Sequence, residues 1–431
     1  MIAETTDRKW LVRATIVILV IATIEGAVRK WILDGPLGQS LILIRDGITI
    51  FIIIKGFYCG LLRKEAPELF MCIWTLFVVG WGAIQLSAAN NPMWVYALGL
   101  RGWLLYAWAA FVMWRGFTIL EVRSICATFL LLVPPLAVLA VIQQQLPPGH
   151  ILNKQISGDE TQVMVVAHNI VRTTGTFSFT TGFYTFCSLA IAITLGFLSD
   201  GTSFIKKIPG WVFVISAMTM VVVSGSRSAW ALSGIITALW LIGMWRHGKL
   251  SLHKFFVLII SAILIIAGGV WIFQDALVAM TERVESASAV ENPFERIFST
   301  LFGSIEVWDY FNPIGAGLGM GNNAVNIIMQ YDGFLLAEGE TEKMLLEAGY
   351  LGLLFVTIKF TLAANGLRLA LSQRTYASIL PVTLWTFAAY HLTLAQLTAQ
   401  LTTHAFGWIG IGIAAASLKS PYSSDEPKAQ D

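Results

Sequence analysis

The sequence predicts an all-α fold, a polytopic bundle of about twelve transmembrane helices, and three observations predict it. Of 431 residues, 56% are hydrophobic and only 13% are charged, with a mean hydropathy of +0.71. A soluble domain carries about a quarter charged residues. The apolar residues also fall in runs close to the roughly 20 residues that a helix needs to cross a bilayer core. Finally, 16 Trp and 26 Phe supply the bulk that suits lipid and its interfaces.

Taken in order, the candidate spans run at about 10–28, 38–58, 68–88, 94–114, 119–142, 182–199, 208–224, 228–245, 254–273, 347–366, 378–396 and 404–418. The first run has no small-residue cleavage site after it, so it reads as a retained helix and not as a signal peptide. An even count puts both termini on one side, and the positive-inside rule chooses the side. With the termini cytoplasmic, 17 of the 28 Lys and Arg fall inside and 8 outside, while Arg45, Arg101 and Lys359 fall within spans. Residues 1–418 therefore form a single transmembrane domain. The polar end 419–431 reads as a disordered cytoplasmic tail.

Two long outer segments remain, at about 143–181 and about 274–346, the second lying between the ninth and tenth spans. Their mixture of apolar and polar residues argues for folded or re-entrant elements. No internal repeat is visible, which weighs against a transporter built from inverted halves. The four cysteines, Cys59, Cys72, Cys126 and Cys187, form no CxxC and read as small apolar residues.

Several constellations stand out in this apolar background. "SGSRS" (224–228) reads as a tight outer turn that places Arg227 at the start of the returning helix. A cation is disfavoured at a helix N-terminus, and a bound anion reverses that preference. Arg227 thus reads either as an anion ligand or as an anchor at the headgroups. "VRTTGTFSFTTGF" (171–183) presents Arg172 with hydroxyls, glycines and aromatics, fitting either a pocket wall or a polar loop into a helix. "NPIGAGLGMGNNAV" (312–325) has alternating glycines at 315, 317, 319 and 321. It reads as a structural turn or an anion nest.

"AEGETEKMLLEAGYLGLL" (337–354) clusters Glu338, Glu340, Glu342 and Glu347 just before a span. Like charges raise one another's pKa, which suits a general base; a solvated acidic face is the plainer reading. Arg45 with Asp46, and Arg101, fall inside spans, where charges face the bundle interior and pair. Glu25 with Arg29 and Lys30 reads the same way. Six histidines, His404 among them, show no metal spacing, and no GxSxG elbow occurs.

Together these pieces resemble the O-antigen ligase and polymerase superfamily of bacterial inner-membrane glycosyltransferases. "RTTGTF" (172–177), "GSRSAW" (225–230), "NPIGAGLG" (312–319) and "EAGYLGLL" (347–354) carry the resemblance, in that order. Their placement around twelve spans and a large outer loop carries it too. One position departs: many members place a His-Asn pair about nine residues before the glutamate that opens the tenth span, where this chain has Glu338 and Gly339. The chain thus resembles a variant with Glu in place of the usual His, as in exopolysaccharide-type members.

The resemblance implies a metal-independent, inverting transfer with no cofactor. A glycan would pass from undecaprenyl diphosphate to an acceptor hydroxyl on the periplasmic side: another glycan, a lipid A core or another hydroxyl. Arg172 and Arg227, with Arg296 as a third, would bind the diphosphate. Glu338 would accept the proton, with Glu340 as the alternative base. Arg45, Asp46, Arg101 and His404 are expected to be structural or to touch substrate. The competing reading is a transporter or flippase of lipid-linked saccharides, without catalysis.

Overall fold

The computed structural model describes residues 5–33, 36–62, 65–89, 91–154, 170–200, 209–251, 293–303, 305–322, 339–372 and 378–419, with single residues at 274, 278, 281 and 325. Among the described residues the fold is all-helical, with no strand. The helices are α1 (Thr5–Trp31), α2 (Pro36–Tyr58), α3 (Ala66–Ala89), α4 (Met93–Leu100), α5 (Tyr106–Gly116), α6 (Ile119–Leu130), α7 (Val133–Gln145), α8 (Thr180–Asp200), α9 (Gly210–Val223), α10 (Arg227–Arg246), α11 (Pro293–Phe302), α12 (Ile305–Asp309), α13 (Glu340–Ala348), α14 (Tyr350–Ser372), α15 (Leu380–Thr393) and α16 (Leu401–Ser417). Among the described residues, seven helical segments are long and apolar enough to cross a membrane. The chain is a membrane protein by that measure. The expected span at 254–273 and the tail 420–431 lie outside the described residues.

Long helices pack as a bundle around a core of Phe177, Phe183, Phe186, Phe387 and Phe406, all buried, with α8, α15 and α16 at its centre. By contrast α3 leaves Leu69, Ile73, Leu76, Phe77 and Ile84 exposed, the composition of a lipid-facing surface.

Three expected spans are interrupted, each for a local reason. Residues 119–142 break at Leu131–Leu132, where the next helix opens on Pro134 and Pro135 and cannot continue the hydrogen-bond ladder. Residues 94–114 carry a π-helical turn, Arg101–Leu105, between α4 and α5. Such turns rotate the side chains that follow them. The tenth span begins at Tyr350, because the chain reverses at Gly349 (φ +56°). α13 then lies antiparallel to α14, so close that a Cβ on Gly352 would sit 1.9 Å from the Met344 carbonyl.

The polar contacts sort into two ends. At one end Asp200 joins the finish of α8 to the start of α6 through Arg123, to the segment after α10 through Lys249, and to the start of α15 through Ser378 and the Ile379 N–H. Arg115 pairs there with Glu65 and Glu68, and Lys419 donates to the Arg115 carbonyl. The opposite end gathers residues 170–180, 223–227, 312–322 and 346–350.

Candidate active site

The SGSRS turn forms as its sequence suggests. Ser224 Oγ accepts the Ser226 N–H (3.2 Å), Gly225 takes φ +57°, and Ser226 caps α10 by accepting the Ala229 N–H. Arg227 is the first residue of that helix and is half-buried. Among the described residues its guanidinium forms no ion pair.

Beside this turn lies the stretch around Arg172. Thr173 Oγ1 donates to the Val223 carbonyl at the end of α9 (2.9 Å), joining two segments 50 residues apart in sequence. α1 clamps the same stretch from its other side. The fully buried Lys30 donates to Thr174 Oγ1 and the Gly175 carbonyl (both 2.9 Å), and Thr176 Oγ1 donates to the Thr23 carbonyl. Gln143 completes the clamp, donating to the Gly175 carbonyl and accepting the Gly175 N–H (2.8 Å). Arg172 is thereby carried on a rigid loop.

The glycine-rich stretch does form an anion nest, and the anion is the protein's own. Glu347 Oε1 accepts the Gly319 N–H (2.6 Å) and Trp103 Nε1–H (3.0 Å), and its Oε2 accepts the Gly321 N–H (3.2 Å). Only glycine fits position 319: φ is +95°, and a Cβ would meet the Val95 carbonyl at 2.1 Å. Gln85 buttresses the loop through the Leu318 N–H and the Ile314 and Glu347 carbonyls. Burial raises the Glu347 carboxyl to about 7, against the lowering effect of its three donors. Glu347 is thus a structural carboxylate holding this loop to the π-helical turn through Trp103.

Glu340 is not a solvated acid at the boundary. The reversal at Gly349 carries it to Lys359, roughly 14 Å along α14 at 1.5 Å per residue. Its Oε1 accepts from Lys359 Nζ (3.4 Å) and from the N–H and hydroxyl of Thr398 (both 3.2 Å). Oε2 is buried with no hydrogen-bond partner, a free acceptor beside α13's N-terminus.

The intramembrane charges pair, as expected for such groups, but with different partners. Glu25 bonds Arg45 (2.7 Å), not Arg29 or Lys30; Lys30 instead clamps the Arg172 loop. Arg45 also donates to the Tyr106 hydroxyl and the Leu401 carbonyl. Asp46 takes Arg101 in a two-pronged pair and accepts from the Tyr106 hydroxyl. His404 packs edge-on against Tyr106 (4.6 Å). Neither of its ring nitrogens makes a hydrogen bond of good geometry, and the Leu397 backbone is its polar neighbour. This layer of charges closes on itself.

Glu338 lies outside the described residues. Arg296 falls in α11, but its side chain is likewise outside them. No group of His, Cys, Asp and Glu among the described residues could hold a metal ion.

No family model matches the chain, and no curated protein matches it.

Sequence reasoning passed over Lys30, Gln85, Trp103, Gln143, Lys359 and Thr398 as members of the site. Gln85 and Lys359 had a usable signal, as lone polar side chains within apolar runs. Trp103 had none, because nothing in the residues marks the π-helical turn that aims it.

Proposed function

We propose that the protein is a metal-independent, inverting glycosyltransferase of the bacterial cytoplasmic membrane, a variant member of the O-antigen ligase and polymerase superfamily. It would move a glycan from undecaprenyl diphosphate to a hydroxyl of a glycan, a lipid A core or another acceptor on the periplasmic side. Twelve spans with both termini cytoplasmic form part of this reading. The Lys and Arg asymmetry supports it, as does the change of ends between Lys249, beside Asp200, and Ile314, beside Gln85.

The observation that carries the proposal is the junction of the two arginine-bearing segments. Thr173 ties the Arg172 loop to the residues just before the SGSRS turn. Arginine's planar fork suits phosphate oxygens. In the reaction the acceptor oxygen attacks the anomeric carbon as the bond to the diphosphate breaks. The diphosphate leaves with the bonding electrons, and preorganised cations stabilise that growing charge. Arg172 and Arg227 would supply it, with Arg296 as the third. The acceptor's proton passes to a carboxylate, Glu338 or Glu340. The free Oε2 of Glu340 supports its candidacy.

The transporter reading draws on the charges inside the bundle. The charges of the Arg45 layer neutralise one another: Arg45 with Glu25 and Arg101 with Asp46. A closed set of pairs offers little to a passing charged headgroup, and the enzyme reading is preferred.

The test is transfer in proteoliposomes loaded with an undecaprenyl-diphosphate-linked glycan. The proposal expects glycosidic bond formation and release of undecaprenyl diphosphate, undiminished by a chelator. Movement of intact donor across the bilayer without bond cleavage would instead establish the transporter.

A further inference from the structure

The π-helical turn Arg101–Leu105 reaches Glu340 by two routes. On one side Gly102 lies against Thr398: a Cβ at position 102 would stand 3.2 Å from the Thr398 carbonyl. Thr398 in turn gives both its N–H and its hydroxyl to Glu340 Oε1 (both 3.2 Å). On the other side the Trp103 ring stacks on Phe355, with 4.7 Å between centroids. Lys359 Nζ sits over the face of that same Phe355 ring at 5.2 Å. Lys359 then completes the circuit at Glu340 Oε1 (3.4 Å). Gly102 and Trp103 are neighbours in sequence, so one turn of chain closes a ring of contacts on a single carboxylate. All six members are buried.

The ring treats the two oxygens of Glu340 differently. Three donors converge on Oε1, while Oε2 is buried with no hydrogen-bond partner. Carboxylates that act as structural joints do otherwise: Asp46, Asp200 and Glu347 each take donors on both oxygens. Glu25 also leaves one oxygen bare, but its other oxygen answers Arg45 alone. Burial favours the protonated form of a lone carboxylate, and that form takes no proton from an acceptor. A cation and two neutral donors on one oxygen favour the ionised form and fix the plane of the group. The second oxygen then has lone pairs for one more O–H. Once Glu340 holds that proton, Lys359 is left without its counter-charge, which favours releasing the proton and resetting the base. Lys343 and Glu347, on the same helix as Glu340, are the other charged groups near enough to act on it.

We propose that Lys359 and Thr398 are positioning residues for Glu340: seated by the π-helical turn, they hold its Oε1 and reserve its Oε2 for the proton of the acceptor hydroxyl. This rests on the reading of Glu340 as the general base.

Transfer kinetics in proteoliposomes, measured across a range of pH, test it. Lys359→Met should lower kcat about a hundredfold at neutral pH with KM little changed. It should regain activity as pH rises, because the carboxylate then ionises without the cation's help. A variant that merely packs badly would not be restored in that way. Thr398→Val should lower kcat about tenfold, and Thr398→Ser, which keeps the hydroxyl, should restore most of it. Gly102→Ala, which presses on the Thr398 carbonyl, should fall between wild type and Thr398→Val. The Thr398 pair decides the matter alone if Lys359→Met fails to insert. A Lys359→Met profile that superimposes on that of the wild type, or equal kcat in Thr398→Val and Thr398→Ser, would overturn the inference. Normal transfer by Glu340→Gln would overturn the underlying reading of Glu340 instead.

Discussion

The two ends of the bundle treat charge differently. At one end Asp200 is almost completely covered, its side chain 2% exposed, and it meets Arg123, Lys249, Ser378 and the Ile379 N–H together. Arg115 has two acids, and Lys419 fastens the last helix to the loop after α5. At the other end Arg227 has no ion pair among the described residues, and Glu340, about 14 Å along α14 from that end, pairs with Lys359 through one oxygen and leaves the other without a hydrogen-bond partner. Glu347 is held by N–H groups and not by a cation. The first pattern is that of charges used to lock helices together. The second keeps polar groups available, and available groups next to a rigid loop are what a binding or catalytic site requires.

The comparison breaks most visibly in activity. Glu340→Gln, if Glu340 is the base, should lower transfer by about 10²–10⁴-fold, the usual contribution of a general base, with insertion unchanged. Normal transfer in that variant would move the role to Glu338. At the locked end the effect should fall on stability. Asp200→Ala leaves two cations and an N–H without their acceptor, and should cost about 3 kcal/mol in unfolding measurements. The fraction that still folds should transfer at the normal rate. If Asp200→Ala instead silences folded protein, the division between the ends is wrong.

A smaller loss is expected from Gly319→Ala. Its positive φ and the carbonyl at 2.1 Å leave no room for a methyl group, so the loop must shift, at a cost of about 2 kcal/mol. Protease sensitivity around 312–322 would report it.

The smallest effect concerns Glu347 and pH. Its carboxyl is raised to about 7 by burial, above the ordinary value of 4.5. The folded state therefore holds the proton more tightly than the unfolded state. That stabilisation is complete below about 4.5 and is lost as pH rises through about 7. Hydrogen exchange of the 315–322 amides should accelerate, beyond its intrinsic pH dependence, between those limits. Glu347→Gln should abolish the extra dependence. An unaltered profile in that variant would show that Glu347 is not the titrating group.

Much of the architecture was legible in the residues because membrane helices carry their signal in composition. Eleven of the twelve expected segments coincide with helices among the described residues. The interruptions were harder to read. Pro134 and Pro135 announced one; Gly349 marked another without revealing that α13 would fold back on α14. The pairing of charges was legible in kind but not in detail. Glu25 has Arg29 and Lys30 close by in sequence, yet Arg45 reaches it from the next helix. Partner choice depends on helix rotation and depth, which one sequence does not encode locally. The same holds for the nest: four glycines showed that something would be held closely, but only the fold supplies Glu347 as the anion. Arg172 and Arg227 were each recognisable, while the Thr173–Val223 bond that joins their segments was not.

The central claim is that the unsatisfied charge at the open end serves function and not folding. Arg227→Ala measured for stability and for transfer in one proteoliposome preparation tests it most directly. The account predicts an unchanged unfolding midpoint with transfer lowered about a hundredfold or more. An unfolding midpoint that falls while transfer per folded molecule stays normal would contradict it.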